Sequence, residues 1–323
     1  MSLPDDRTGH EAVEQAADGA EPGSAETERD LAQELLAEEL QERRRAEYEA
    51  IRKAIAAERA AEREFLAGLH SSARAPVHEI FTSIQGEGLL VGLQQIFIRM
   101  RGCDLGCPWC DTPQAQNADS EEDCWAQSRP GVRGWTIPNP VSVGDVVDAV
   151  RRILKANEPD AIHSVSVTGG EPLLYPQFVA ALCGALREFE LPIMLESNGL
   201  RPADLQQVLR AIDWVAADFK LDSALGRRLD GEARREFLRL AQHKRAFVKI
   251  VVTDQTSEEE LSEVFALIGG IDPACPVFIQ PVTPVGEFRP PRGVDLMRYR
   301  ALALRHLRDV RIIPQIHRLL GLP

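Results

Sequence analysis

The sequence predicts an α/β fold with a mainly parallel sheet over residues 76–323, preceded by an N-terminal arm over residues 1–75. Two observations predict it. From Val77 onward, short apolar runs alternate with amphipathic stretches, and repeated strand–helix–strand units require parallel strands with helical crossovers. Polar or Gly-rich motifs follow the strands, whereas the connections that lead back into them resemble plain turns. This pattern suits an open or partial barrel or a doubly wound sheet.

The N-terminal arm differs from the rest in composition. Residues 1–75 carry 18 acidic and 10 basic side chains, a net charge of −8 within a chain total of −13. Residues 28–69 are rich in Ala, Glu, Arg and Leu, which predicts a long helix with a narrow leucine stripe between 31 and 40. It is either a solvated helix or partly disordered arm, or a coiled-coil or docking helix. Residues 1–27 are expected to be disordered.

The β/α region divides into runs of strand type and of helix type. The strand runs are short and rich in β-branched and aromatic residues, and the helix runs place apolar residues on one face. Strands are predicted at 94–102, 163–168, 191–196, 213–218, 245–253, 276–280 and 309–315. Helices are predicted near 142–156, 176–189, 202–211, 232–243, 257–268 and 294–307.

Unusual residues cluster just after the strands. The motifs are TGGEP (168–172), ESNG (196–199), DFK (218–220), VVTD (251–254), QPVTP (280–284) and PQIH (314–317), and a cysteine cluster follows the first strand. In a parallel β/α barrel the loops after the strands share one face, where active sites are built. The convergence of these motifs therefore predicts a single site at a barrel mouth.

Composition narrows the class of function. A hydrophobic content of 44% suits a chain with a substantial core, and the charge of −13 disfavours an electrostatic grip on nucleic acid. No run of 18 apolar residues and no signal peptide is visible, so we expect no membrane partner. A cytoplasmic protein with reduced thiols and a small-molecule substrate is expected.

Three cysteines lie close together in the stretch RGCDLGCPWCDT. Cys103, Cys107 and Cys110 form a C-x3-C-x2-C run, whereas the other three cysteines are isolated. Structural zinc prefers four ligands, a redox pair would leave Cys103 unexplained, and disulfides are rare in the cytoplasm. Iron–sulfur cubanes normally take four thiolates, so three would leave one iron open to a substrate or cofactor.

The cysteine run, with Trp109 inside its last pair, resembles the signature of the radical S-adenosylmethionine (SAM) superfamily. The resemblance implies a 4Fe–4S cluster whose open iron binds SAM, and a 5′-deoxyadenosyl radical that abstracts hydrogen from a substrate. It also implies a reductant such as flavodoxin or ferredoxin.

The wider sequence narrows the resemblance to one family. The segment EIFTSIQGEGLLVGLQQIFIRMRGCDLGCPWCDT, the motifs TGGEPLL, ESNG, DFK and QPV, and the terminal PQIHRLLGLP resemble the 7-carboxy-7-deazaguanine synthase family. The resemblance implies a shortened parallel β/α barrel of the radical SAM type, and we expect the protein to assemble as a homodimer. It implies conversion of 6-carboxy-5,6,7,8-tetrahydropterin to 7-carboxy-7-deazaguanine with loss of ammonia, a step of queuosine and 7-deazapurine biosynthesis.

Residue by residue, the resemblance implies three sets of ligands. The cluster ligands are Cys103, Cys107 and Cys110, and Thr112 matches a position that helps to coordinate Mg2+. The SAM-binding residues are Trp109, Cys110, Asp111, Gly169, Gly170, Glu171, Glu196, Ser197, Asn198, Asp218, Lys220, Gln280, Pro281, Val282 and Thr283. The substrate-binding residues are Ile84, Gln85, Gly86, Glu87, Arg99, Thr168, His317 and Pro323.

Some positions depart from the family pattern. Ser197 stands where Thr is usual, the DFK motif where Ser-Pro-Lys is frequent, and Arg318 where Lys is frequent. These differences bear on the identity of the substrate more than on the chemistry. Two alternatives therefore stand beside the family: another radical SAM enzyme, such as a glycyl-radical activase, and a cluster-carrying module without catalysis. The first would not need IQGEG or the terminal QIH, and the second would not need the motifs at the barrel mouth.

Overall fold

A computed structural model describes Lys53, residues 73–158 and residues 160–323. The predicted disordered segment at 1–27 and the predicted helix at 28–69 lie outside this part of the chain, apart from Lys53, which is helical. Among the described residues, no helix is long and apolar enough to cross a membrane.

The described chain forms twelve strands and eight α-helices. The strands are β1 (Arg74–Ala75), β2 (Val77–Ile84), β3 (Gln94–Met100), β4 (Cys124–Gln127), β5 (Trp135–Ile137), β6 (Val141–Ser142), β7 (Ser164–Gly169), β8 (Ile193–Ser197), β9 (Trp214–Phe219), β10 (Arg245–Val252), β11 (Val277–Pro281) and β12 (Val310–Ile312). The helices are α1 (Val143–Ala156), α2 (Pro176–Leu186), α3 (Pro202–Val208), α4 (Asp222–Leu225), α5 (Gly231–Ala241), α6 (Glu258–Gly269), α7 (Gly293–Ala303) and α8 (Ile316–Leu319).

Ten of these strands form one sheet in the order β12-β11-β10-β9-β8-β7-β3-β2-β4-β5. Neighbours from β3 through β7 to β12 are parallel, β2 pairs antiparallel with β3, and β5 pairs antiparallel with β4. Strands β12 and β5 are the two edges of this sheet. The predicted α/β fold, a partial parallel barrel, is confirmed.

The seven predicted strands and six predicted helices all occur, with shifted ends. The strand predicted at 309–315 stops at Ile312, close to Pro314, which cannot donate to a sheet. The helices predicted at 176–189 and 202–211 end in 3-10 turns, Arg187–Phe189 and Leu209–Ala211. Strands β2, β4 and β5 were not predicted, because they join the sheet without helical crossovers.

Local sequence explains where the helices begin. Ser142 caps α1 in a capping box: its hydroxyl accepts from Asp145 N, and the Asp145 carboxylate accepts from Ser142 N. Ser257 caps α6 in the same way through Glu260 N. Helices α2 and α3 begin at Pro176 and Pro202, where the missing N–H costs no helical hydrogen bond.

Alternation along the strands separates two faces of the sheet. In β10, Val248, Ile250 and Val252 are fully buried within the large core that the helices cover. The intervening Phe247 and Lys249 point to the opposite, inner face, because successive strand residues alternate. Phe247 packs there with Met194, Ala216, Phe278 and Leu90, which fill one part of the barrel interior. The strand ends beyond this cluster are left to form the site.

Candidate active site

A cavity with a volume of about 450 Å³ lies at the ends of the parallel strands. Most residues that the sequence predicts for the site line it. They are Ile84, Gln85, Gly86, Glu87, Arg99, Cys103, Cys107, Trp109, Cys110, Asp111, Thr168, Gly169, Gly170, Glu196, Ser197, Asn198, Asp218, Lys220, Gln280, Val282, Thr283, His317 and Pro323. One cavity therefore brings together the predicted cluster, SAM and substrate residues.

Three predicted residues do not line this cavity. Glu171 is fully buried behind it, and Pro281 is the last residue of β11. Thr112 is half-buried on the loop after Cys110, where its hydroxyl donates to Asp111 Oδ1 at 3.2 Å. Glu171 and Thr112 each have a hydrogen bond to a residue that lines the cavity, Ser197 and Asp111 respectively.

The cysteine loop carries its three thiols to the cavity. Cys110 N donates to Cys107 O at 3.1 Å, and Cys103 N donates to Gln116 O at 3.2 Å, which ties the loop at both ends. Burial raises the pKa of Cys107 to about 11, and Cys103 and Cys110 are close enough to add to that rise. Burial also raises the pKa of Cys103. The loop therefore brings all three cysteines to the lining of one cavity.

The donor set fits the expected cofactors. Among the described residues, no group of three or more His, Cys, Asp or Glu side chains is arranged to hold one metal ion. Three thiols that face a shared cavity are instead the donors that an iron–sulfur cluster requires. Two buried polar atoms of lining residues, Trp109 Nε1 and Asp218 Oδ1, have no hydrogen-bond partner, so both are available to a bound molecule.

Two glycines join the end of β7 to the start of the cysteine loop. Gly170 N donates to Met100 O at 3.1 Å, and a Cβ on Gly170 would lie 1.9 Å from Gly102 O. Gly169 has a φ of +141°, and a Cβ there would lie 2.3 Å from Met100 N. No side chain fits at either position. The glycine pair therefore sets the distance between the cavity wall and Cys103.

Glu171 links the TGGEP and ESNG motifs. Its carboxylate accepts from Leu173 N and Ser197 Oγ, both at 3.0 Å, and from Asn198 N at 2.8 Å. Burial raises the pKa of Glu171 to about 7, against the effect of these donors. The carboxylate thereby holds two loops of the cavity wall in one arrangement.

We expect Glu171→Gln to destabilise the domain. Both carboxylate oxygens accept from N–H or O–H donors, so an amide NH2 group in either orientation would face a donor. An unsatisfied buried polar group costs about 1–3 kcal/mol, which should lower the apparent melting temperature of the cluster-loaded protein. The exposed Glu121→Gln is the control and should leave the melting temperature unchanged. Equal melting temperatures for the two variants would contradict this account of Glu171.

Glu196 lies at the floor of the cavity among hydroxyl and amide groups. It accepts from Ser166 Oγ at 2.9 Å, Gln85 Nε2 at 3.1 Å and Thr168 Oγ1 at 3.3 Å. Burial raises its pKa, and the positive charge of Lys249 opposes that rise. Gln85 is held in turn by Gln95 Oε1 at 2.9 Å. The floor is thus a polar surface with defined donors and acceptors.

A chain of charges crosses the cavity from Glu87, in the loop after β2, through Lys249 on β10 to Asp218 near the end of β9. Lys249 forms ion pairs with Glu87 and, at 2.9 Å, with Asp218 Oδ2, and Lys220 approaches the same Asp218 oxygen at 2.7 Å. Glu87 Oε1 also accepts from Gln280 and Gln315, each at 2.9 Å. Sequence reasoning missed Lys249 and the site contacts of Gln315. The available signal for Lys249 was a charged residue inside the apolar run RAFVKIVV.

The opposite wall carries Arg99 and Asp111. Arg99 Nε donates to Glu79 Oε1 at 2.8 Å, and its guanidinium carbon lies 5.8 Å from the centre of the Phe81 ring. Burial would raise the pKa of Asp111, but the charges of Arg99, Lys249 and Arg318 lower it to about 2. Asp111 is therefore ionised at neutral pH, and Arg99 presents a cation to the cavity.

The C-terminal segment closes against the first loop. Ile316 N donates to Gly86 O at 3.0 Å, and Ser83 Oγ donates to Pro323 O at 2.9 Å. A Cβ on Gly86 would lie 2.0 Å from His317 Nδ1, so glycine is needed for this approach. Burial lowers the pKa of His317, which keeps its ring neutral at neutral pH. The terminal residues are thus part of the cavity wall.

Comparison with known proteins identifies the family. The family model described as "Radical SAM superfamily" matches residues 97–268, which is more than half of the chain. The chain is 40% identical over 248 residues to the 7-carboxy-7-deazaguanine synthase of Geobacter sulfurreducens, covering 76% of this chain and 97% of that protein. The chain belongs to the 7-carboxy-7-deazaguanine synthase family.

A second relative and a solved structure agree with this membership. The 7-carboxy-7-deazaguanine synthase of Methanothermobacter thermautotrophicus is 31% identical over 270 residues, covering 77% of this chain and 98% of that protein. The crystal structure of QueE from Escherichia coli shares the fold, with a TM-score of 0.50 and 20% identity, covering 78% of this chain and 97% of that one. Membership of the 7-carboxy-7-deazaguanine synthase family makes the chain a radical SAM lyase and implies a 4Fe–4S cluster, SAM, a small-molecule substrate and a reductant.

Proposed function

We propose that this chain converts 6-carboxy-5,6,7,8-tetrahydropterin into 7-carboxy-7-deazaguanine and ammonia, within the biosynthesis of queuosine and related 7-deazapurines. The reaction is balanced, because the product and ammonia together contain all the atoms of the substrate. The observation that carries the proposal is the shared cavity, in which three thiols and the cationic Arg99 line one space of about 450 Å³. The chain is similar to two 7-carboxy-7-deazaguanine synthases over nearly their whole length, which supports the choice of substrate.

The residues of the cavity divide into three groups by their proposed ligand. Cys103, Cys107 and Cys110 would hold the cluster. SAM would lie against Gly169 and Gly170, the ESNG and DFK motifs, and the segment from Gln280 to Thr283. When bound, the cluster and SAM supply the 5′-deoxyadenosyl radical that starts the reaction. The pterin would lie between this region and the segment from Ile84 to Glu87.

Arg99 is proposed to bind the carboxylate of the substrate. Its contact with Glu79 uses Nε, and among the described residues neither Nη atom has a hydrogen bond. Both Nη groups can therefore donate to a carboxylate, the bidentate geometry that arginine favours. The cation–π contact with the Phe81 ring also helps to hold the guanidinium group in place. Arg99 thus orients the pterin by its acidic end.

The floor of the cavity is proposed to orient the pterin ring. Glu196 and Glu87 are acceptors for ring N–H and amino groups, and each carboxylate is already held by neighbouring donors. His317 is neutral and presents its ring to the cavity from α8. A substrate held at both its carboxylate and its ring has one orientation relative to SAM.

A Mg2+ ion is proposed at Thr112. Hard cations bind hydroxyl and carboxylate oxygens, and the ionised Asp111 lies beside Thr112 with a hydrogen bond between their side chains. Substrate oxygens and water would complete the shell. The ion would then restrain the pterin while its ring contracts.

Thr112→Val tests the metal site, because it keeps the shape of the side chain and removes the ligand oxygen. We expect slower product formation and a weaker dependence on Mg2+, with an unchanged cluster spectrum. The measurement is the rate of product formation across a Mg2+ titration. Turnover at the parent rate, with the same Mg2+ dependence, would show that Thr112 does not bind the ion.

Several further expectations from the family belong to this proposal. The assembly is a homodimer, the electron donor is a flavodoxin or ferredoxin, and the protein acts in the cytoplasm without nucleic acid or a membrane. The net charge of −13 supports the exclusion of nucleic acid. The arm over residues 1–75 is proposed to be separate from the catalytic domain over 76–323.

The proposed function is tested by anaerobic turnover. Cluster-reconstituted protein is incubated with SAM, a reductant and 6-carboxy-5,6,7,8-tetrahydropterin, and the products are identified by mass spectrometry. We expect 7-carboxy-7-deazaguanine. Cleavage of SAM without this product would reject the substrate while retaining the radical chemistry.

A further inference from the structure

Lys249 is a buried lysine on the inner face of β10. It is 9% exposed and lines the cavity. A charged group at such a depth is costly unless it is paired. Burial works to lower the pKa of Lys249, but the charges of Asp218, Glu87 and Glu196 raise it well above its ordinary value. Lys249 is therefore a fixed cation among carboxylates.

The two ion-pair partners of Lys249 belong to different halves of the cavity. Asp218 is the second-last residue of β9 and also pairs with Lys220, whose charge acts on the Cys107 thiol, so this side adjoins the cysteine loop. Glu87 follows β2 on the side proposed for the pterin, next to Gln85 and Gly86. Lys249 is thus the link between the cofactor side and the substrate side.

The position of Glu87 depends on this link. Its Oε1 accepts from the amides of Gln280 and Gln315, and its Oε2 is bound by Lys249. The three donors come from β11, from the loop after β12 and from β10. Without Lys249, Oε2 would lose its cation, and Glu87, Asp218 and Glu196 would share a cavity with less positive charge. Repulsion between these carboxylates would then displace Glu87.

We infer that Lys249 is a positioning residue that keeps the pterin in its productive orientation relative to SAM. It does so by holding the carboxylates of Glu87 and Asp218 in one arrangement across the cavity. The inference rests on the proposed function. Lys249 acts through the two carboxylates, and its removal uncouples SAM cleavage from product formation. A radical formed beside a displaced substrate is lost to side reactions, because a shift of about 1 Å from productive geometry costs up to about 100-fold in rate.

Lys220 provides a matched comparison. Both lysines bind Asp218 Oδ2, at 2.7 Å for Lys220 and 2.9 Å for Lys249, but only Lys249 also binds Glu87. Removal of Lys220 should therefore disturb the cofactor side alone. Removal of Lys249 should disturb the substrate side as well, so the two variants separate a local charge effect from the bridge.

The test compares the parent with Lys249→Met, Lys249→Arg and Lys220→Met as cluster-loaded proteins. Cluster content and melting temperature are measured first. Anaerobic calorimetry then gives the Kd of SAM, and the Kd of the carboxy-pterin for the SAM-loaded protein with an oxidised cluster. Under turnover, the ratio of 7-carboxy-7-deazaguanine to 5′-deoxyadenosine measures the coupling. If Lys249→Met fails to hold the cluster, Lys249→Gln, which retains one donor, replaces it.

We expect Lys249→Met to weaken pterin binding and to lower the product ratio, each by about tenfold or more. Lys249→Arg, which keeps the charge, should restore part of the ratio, and Lys220→Met should weaken SAM binding while pterin affinity stays near that of the parent. A parent-like pterin Kd and product ratio in Lys249→Met would overturn the inference, even with a lower melting temperature. A parent protein that cleaves SAM without forming product would instead reject the proposed function.

Discussion

We expect Cys107→Ala to abolish both the cluster and all product formation. Cys107 is the middle thiol of the loop, its backbone carbonyl accepts from Cys110 N, and both flanking thiols lie close to it. Two remaining cysteines give a cubane too few protein ligands. The measurement is iron and sulfide content with the visible absorption of the reconstituted variant, followed by the assay for 5′-deoxyadenosine. Cys103→Ala and Cys110→Ala should behave in the same way.

Cys124→Ala is the control for the loss of a thiol. Cys124 is fully buried in β4 within the outer core, and burial raises its pKa to about 12. A protonated core thiol is not a ligand for iron, so this variant should keep both cluster and activity. An intact cluster in Cys107→Ala would refute the assignment of the loop as the cluster site.

We expect Arg99→Leu to raise the KM for the carboxy-pterin on the order of 10–100-fold, because hydrogen bonds to charged groups contribute about 1.5–3 kcal/mol. The guanidinium group is held by Glu79 and Phe81, so a bound carboxylate meets a preorganised donor pair. Initial rates at varied pterin concentration, together with the Kd of SAM, measure the effect. SAM affinity should stay close to that of the parent, since Arg99 lies on the wall assigned to the substrate.

Arg311→Leu is the control for Arg99→Leu, because it also removes an arginine that lies over an aromatic ring. Arg311 lies 5.5 Å from the centre of the Phe278 ring and pairs with Asp309, but it is half exposed and does not line the cavity. Its removal should leave the KM unchanged. If Arg99→Leu has the KM of the parent, the carboxylate binds elsewhere.

Much of the fold follows from sequence pattern. The strands from β7 to β11 are short apolar runs between helical segments, and the structure moves their predicted ends by two residues or fewer. Strands β2, β4 and β5 escaped prediction, because a pattern of alternating strands and helices gives no signal for strands that are joined by loops. The pairing of β2 with β3 nevertheless determines the site, since it places Ile84 to Glu87 at the cavity.

The site was predictable where residues stand in short motifs and less so where they stand inside strands. The cysteines, the glycine pair and the ESNG and DFK motifs lie in loops or at strand ends, and such positions converge in a parallel barrel. Lys249 lies within a strand, and Gln315 reaches Glu87 and Asp111 across the cavity. Both residues contact Glu87, which lies more than 160 positions away in sequence, so only the closed fold shows these contacts.

We propose that the radical chemistry of this cavity acts on the carboxy-pterin. The most direct measurement is a single anaerobic incubation of reconstituted protein with SAM, reductant and 6-carboxy-5,6,7,8-tetrahydropterin, in which 7-carboxy-7-deazaguanine and ammonia are both quantified. We expect 7-carboxy-7-deazaguanine and ammonia to appear in equal amounts, and we expect neither to form with Cys107→Ala. Formation of 5′-deoxyadenosine with no deazaguanine and no ammonia would contradict it.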